Sequence, residues 1–226
     1  MTHMRLRNLF RILALAAALL LGAGMTTTAS AAQPSKGQTL LQKVLTSKDQ
    51  KAAYLALDSS DRAAFNTAFK QLTPTVTKVS SRALTTAEAT ALGLKPIATK
   101  DGASATAAGV GPNETVPTTC WSYYYTVSWN DFFILNDGKT WFQLNWCAAT
   151  TNAIWSWSVS HVGGQGESGV SYKGVIAHDA LISGNQIRAY EEYDFGFYGF
   201  VDANPCIQIR GAATGTETHQ NNCDLG

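Results

Sequence analysis

Residues Cys120 to Trp129 read CWSYYYTVSW. Trp121, Tyr123, Tyr125, Val127 and Trp129 occupy every second position, and Ser122, Tyr124, Thr126 and Ser128 fall between them. Side chains of a β-strand alternate between its two faces, so this spacing predicts a strand with one aromatic and β-branched face. The next stretch, Thr140 to Ser160, reads TWFQLNWCAATTNAIWSWSVS and holds four of the chain's six tryptophans. Whether those rings form a core or a ligand platform depends on register.

Asn136-Asp137-Gly138-Lys139 is a hairpin signal, because Asp-Gly suits the positive φ angles of a type I′ turn. A tip at Asp137-Gly138 sets Leu135 opposite Thr140, Phe133 opposite Phe142, Asp131 opposite Leu144 and Trp129 opposite Trp146. A second tip at Thr150-Thr151 sets Phe142 opposite Val159, Leu144 opposite Trp157 and Trp146 opposite Trp155. Both registers gather Trp129, Phe133, Leu135, Phe142, Leu144, Trp146, Trp155, Trp157 and Val159 on one face, with Gln143, Asn145, Ser156, Ser158 and Ser160 on the other. A one-residue slip would exchange the faces, so the segregation constrains the fold. Asp131 is the misfit on the apolar face and predicts a bulge or bend near Trp129 to Asp131. Trp141 falls on the polar face, opposite Ile134 and diagonal to Phe132. These three residues are the candidate ligand-binding patch; the competing reading is that a second layer covers them.

Further period-two runs follow in GVSYKGVIAH, QIRAYEEYDFGFYGFV, PCIQIR and TETHQNNC, separated by Gly and Asn. Seven or eight strands over residues 118–226 predict a mainly β domain, an antiparallel β-sandwich or jelly-roll-like fold. Cys120, Cys147, Cys206 and Cys223 all lie in it. In an exported chain an even set reads as disulfides. Three connectivities are possible, and the pairs closest in sequence, Cys120–Cys147 and Cys206–Cys223, are preferred. No metal site is expected, since no two cysteines have zinc spacing and His161, His178 and His219 form no paired pattern.

Toward the N-terminus, residues 97–117 are rich in Ala, Gly and Thr and read as a linker. Residues 33–96 carry helical patterns. Ser47 with Gln50, and Thr85 with Glu88, fit capping boxes; Ser60 is placed to cap a helix whose Ala64, Phe65, Phe69 and Leu72 share a face and which Pro74 ends. Residues 1–32 combine Arg5, Arg7 and Arg11, an apolar run from Ile12 to Leu21 and a small-residue Ala29-Ser30-Ala31 site, the layout of a secretory signal peptide. That run is half the roughly 20 residues a spanning helix needs. A secreted, extracellular chain without a membrane span is expected.

The formal net charge of +1 gives no sign of a nucleic-acid partner. Residues 33–117 carry ten Lys/Arg against six Asp/Glu, and residues 118–226 four against ten, net +4 and −6. Glu191, Glu192 and Asp194 form the densest acidic cluster. On a strand Glu192 and Asp194 share a face about 7 Å apart, and paired carboxylates serve glycoside hydrolysis or calcium. The alternating Tyr193, Phe195 and Phe197 make a solvated outer face the plain alternative. Gly166-Glu167-Ser168-Gly169 resembles a serine-protease nucleophile motif, but no aspartate lies between His161 and Ser168, so no triad forms.

The Ala-rich leader, the helical segment and an aromatic β-domain ending PCIQIRGAATG…NNCDL resemble small secreted, two-disulfide, aromatic-rich proteins of actinomycete-like bacteria. The resemblance carries no catalytic residue and no cofactor. The expected function is a non-enzymatic extracellular binding or interaction module, with a polysaccharide or cell-surface component as partner. One alternative is a secreted glycosidase-like hydrolase using the carboxylates. Another is a protein whose residues 33–96 are a pro-segment shielding the β-domain.

Overall fold

The aromatic alternation from Cys120 onward builds one layer of a sandwich. The computed structural model describes residues 33–95, 97–99, 115–131, 135–150, 153–167 and 169–226; the leader, Ile134, Phe132 and most of the linker lie outside them. Pro34 to Gly226 form one unit. In chain order the elements are α1 (Lys36–Leu45), α2 (Gln50–Leu55), α3 (Ser59–Phe69), β1 (Thr73–Leu84), α4 (Thr86–Ala91), β2 (Ile97–Thr99) and β3 (Thr115–Pro117). There follow β4 (Thr119–Asp131), β5 (Leu135–Thr150), β6 (Ala153–Gly166), β7 (Val170–Ser183), β8 (Gln186–Phe197), β9 (Val201–Ala203), β10 (Cys206–Ala212) and β11 (Glu217–Gln220). One antiparallel sheet has the order β1-β4-β5-β6, and the other β11-β10-β8-β7 with β9 also paired to β8. The fold is mainly β, a two-sheet antiparallel sandwich with a short helical segment. Each sheet is a meander, apart from β1, which reaches back to pair with β4.

The inner faces follow the predicted alternation. Tyr123, Tyr125, Val127 and Trp129 from β4, and Phe142, Leu144 and Trp146 from β5, are buried against Ile187, Ala189, Tyr193, Phe195, Ile207 and Ile209 of the other sheet. The register that produces this differs from the one predicted. Trp146 pairs with Trp121, Phe142 with Tyr125, and Gly138 with Trp129. For Trp129 the shift is eight residues, an even number, so each side chain keeps its face although its partner changes. Asp137-Gly138 is inside β5 rather than at a tip. Gly138 serves contact instead of turning: a Cβ there would lie 2.6 Å from the Phe195 ring. The expected irregularity is present between Trp129 and Asn130. The second hairpin is displaced by two residues, with Leu144 opposite Val159 and Trp146 opposite Trp157.

The helical segment is narrower than predicted. Its expected caps are replaced by neighbours: Asp49 and Asp58 accept from Ala52 N and Asp61 N in place of Ser47 and Ser60. The Thr85–Glu88 capping box is present. Residues Thr73 to Leu84, inside the segment 33–96 expected to be helical, form β1 instead, and its side chains are almost all exposed. An edge strand bound by its backbone needs no apolar face, so its sequence carries no period-two signal. Helices α1 to α3 close one end of the sandwich. Tyr54 stacks on Phe200 at 4.6 Å, and Phe65 lies 5.3 Å from Phe197.

Both preferred disulfides are formed. Cys120–Cys147 joins directly paired residues of β4 and β5 and is covered by Ala89 and Leu94 around α4. Cys206–Cys223 ties the β10–β11 hairpin to the chain's last residues. A closed loop of this size contributes roughly 3 kcal/mol in the chain-entropy account.

Candidate functional site: a cleft at the open edge of the sandwich

The two edges of the sandwich are built differently. At one, His219 of β11 meets β4: Tyr123 Oη lies 2.7 Å from its Nδ1, and the Tyr125 ring stacks on it at 4.2 Å. Burial holds this imidazole below its usual pKa. At the other edge β6 and β7 leave a gap between them, and no residue of β6 is fully buried. The gap is a cleft of about 670 Å³.

Its walls are apolar. β6 contributes Trp157, Val159 and Val162, and β7 contributes Val175 and Ala180. Trp157 faces inward by register, paired with Trp146, yet it lines the cleft and 41 % of it is exposed. This corrects the expectation that Trp157 is core. Trp155 is half-buried at an irregularity of β6. Another irregularity, opposite Phe142, includes His161 in the left-handed region at φ 50°, next to Val162 on the cleft wall.

The polar groups of the cleft are Glu191, His178 and Asp179. Glu191 continues the inward stripe of Ile187, Ala189, Tyr193, Phe195 and Phe197 along β8 and is only 5 % exposed. It is paired across the sheet with Ile207 on one side and His178 on the other. No hydrogen bond to its carboxyl is formed among the described residues. Burial raises its pKa from 4.5 to about 7, and the His178 imidazole draws it back. The carboxyl also raises the pKa of Tyr172 and Tyr193, in both cases after burial.

The sequence-predicted residues fall elsewhere. Trp141 pairs with Thr126 and Gly163, not with Ile134, and lies six residues, roughly 20 Å, along β5 from Leu135. It is half-buried, its ring so close over Gly163 that a Cβ there would lie 2.9 Å from it. Its proposed companions Phe132 and Ile134 lie outside the described residues. Glu192 and Asp194 share the face of β8 opposite the cleft, where Lys173 bridges Asp194 at 3.9 Å and Asp202 at 2.5 Å. Glu191 belongs to a different face from its neighbours in the cluster. Counting back two residues from Tyr193 along the core stripe lands on it, and that parity was the available signal. A polar hollow of about 460 Å³ between α3 and β9 contains Asn66 and Asp202, already engaged by Tyr54 and Lys173.

Among the described residues no group of three or more His, Cys, Asp or Glu could hold a metal ion, and no helix is long and apolar enough to cross a membrane. No protein-family model matches the chain, and neither a curated protein nor a solved structure does.

The raised pKa of Glu191 makes a stability prediction. The unfolded carboxyl ionises near 4.5 and the folded one near 7, so the folded state holds the proton longer. Its contribution to stability is fully present below 4.5 and is lost as pH rises through 7. Glu191→Gln is therefore expected to stabilise the protein by up to about 3 kcal/mol at pH 8 and by little at pH 4. Urea unfolding of both proteins across that range measures the difference, in which the opposing effect of His219 cancels.

Proposed function

We propose that the protein is an exported, non-enzymatic binding module, and that the cleft between β6 and β7 takes a segment of an extracellular or cell-envelope polysaccharide. One observation carries this reading: a large exposed indole, Trp157, and a buried carboxyl, Glu191, line the same cleft, whose other walls are mostly apolar. A sugar ring has an apolar face that stacks on an indole and polar edges that seek a few fixed hydrogen-bonding groups. Two disulfides suit an oxidising compartment outside the cytoplasm.

Trp157→Ala is expected to weaken retention on the bound polysaccharide at least ten-fold, about 1.4 kcal/mol, without lowering Tm by more than a few degrees. Affinity electrophoresis through gels containing soluble polysaccharides measures it. Unchanged migration of Trp157→Ala, with retention lost in Trp141→Ala, would move the site to the other tryptophan.

A second reading, a secreted glycosidase, is favoured by the same carboxyl, since a pKa near 7 suits a general acid. Glycoside hydrolysis also needs a second carboxylate across the scissile bond. Glu192 and Asp194 face away from the cleft. Asp179, at its rim, has Oδ1 accepting from Ala180 N at 2.7 Å. Release of reducing sugar that disappears in Glu191→Gln would favour the enzyme.

A further inference from the structure

We propose that the cleft selects an amino sugar in its protonated form, with the sugar ring against Trp157 and its ammonium group against the Glu191 carboxylate. This rests on the polysaccharide reading and narrows it. Glu191 is 5 % exposed, lines the cleft and has no hydrogen-bond donor among the described residues. A buried carboxylate without a donor is costly, and a cation brought by a ligand removes that cost. Among the described residues no Lys or Arg lines the cleft to do so from within. The wall facing Glu191 from β6 is Trp157, Val159 and Val162, with no titratable group, and its β10 neighbour is Ile207. The titratable groups around it are His178, Asp179 and Tyr172 on β7 and Tyr193 on β8. Of these only His178, exposed and paired with Glu191 across the sheet, can carry positive charge, and its pull on the Glu191 carboxyl is smaller than the opposing effect of burial. Trp157 offers a ring face that attracts a cation as well as a sugar. An N-acetylated sugar brings a neutral amide to the same place and leaves the carboxyl without its counter-charge.

Binding an ammonium group favours the ionised carboxyl, so the complex releases the proton that Glu191 holds in the free protein near neutral pH. Titration calorimetry of the whole chain at pH 6.5, in two buffers of different ionisation enthalpy, compares a β-1,4-linked glucosamine tetramer with its N-acetylated counterpart and with tetralysine. The glucosamine tetramer is expected to bind at least about ten-fold tighter than the N-acetylated one, with net proton release. Glu191→Gln, an isosteric change, is expected to remove both the preference and the proton release. Equal or tighter binding of the N-acetylated tetramer, or a preference that survives Glu191→Gln, overturns the inference and leaves the polysaccharide cleft standing. Tetralysine binding as tightly, with the same sensitivity to Glu191→Gln, overturns the sugar assignment in favour of a peptide amine. Failure of both sugars to bind removes the polysaccharide reading together with the inference.

Discussion

Replacing Trp146 by alanine is expected to destabilise the protein by about 3–5 kcal/mol, enough to unfold a domain of ordinary stability. The ring is wholly buried at the centre of the sandwich. It stacks on Trp121 at 6.0 Å, and its Nε1 donates to the Ala212 carbonyl at 2.9 Å. Its plane lies on Gly211 of β10, where an added Cβ would come within 2.7 Å of the ring. Truncation therefore opens a cavity between the sheets and orphans a carbonyl. Gly211→Val attacks the same contact from the opposite sheet and is expected to cost about 1–3 kcal/mol through overpacking. Urea unfolding followed by near-ultraviolet circular dichroism measures both. A loss below 1 kcal/mol for Trp146→Ala would mean that the two sheets do not meet at this ring.

The second large effect is expected from removing residues 33–84. A chain without them is expected to lose cooperative unfolding, bind a hydrophobic dye and aggregate. The segment supplies α1, α2 and α3, which bury Phe197 under Tyr54, Phe65 and Phe69. It also supplies β1, which pairs with β4 along eleven residue pairs from Thr73 to Leu84. Removal exposes an aromatic end and leaves β4 as a long bare edge, the template for strand-to-strand association. Lys78, over the Tyr124 ring at 5.3 Å, is one of the charges that β1 places on the outside. Size-exclusion chromatography and thermal unfolding of the shortened chain check this. A stable monomer with a sharp transition would instead support the pro-segment alternative.

The inward face of β4 and β5 was legible in the sequence because strand alternation is insensitive to even shifts of register. Trp129, Phe142, Leu144 and Trp146 are buried as the alternation required, although every partner differs. Turn position was not legible, because Asp-Gly has two uses and here the glycine accommodates the Phe195 ring. The strand β1 was hidden for the opposite reason: exposed on both faces, it has no apolar alternation to detect. The cleft was hidden because facing inward is not the same as being covered. Trp157 has core parity, yet it lines the cleft between β6 and β7 and stays accessible. Glu191 stood in an acidic run whose other members face outward, so its neighbours in sequence masked its place on the apolar stripe.

The six tryptophans give the cleft a direct test, since each indole N–H has its own resonance in a nitrogen-15 correlation spectrum. Titration of the labelled protein with the glucosamine tetramer is expected to shift the Trp157 indole progressively, leaving Trp141 at its starting position. Movement of Trp141 with Trp157 unmoved would contradict the assignment of the ligand site to the cleft between β6 and β7.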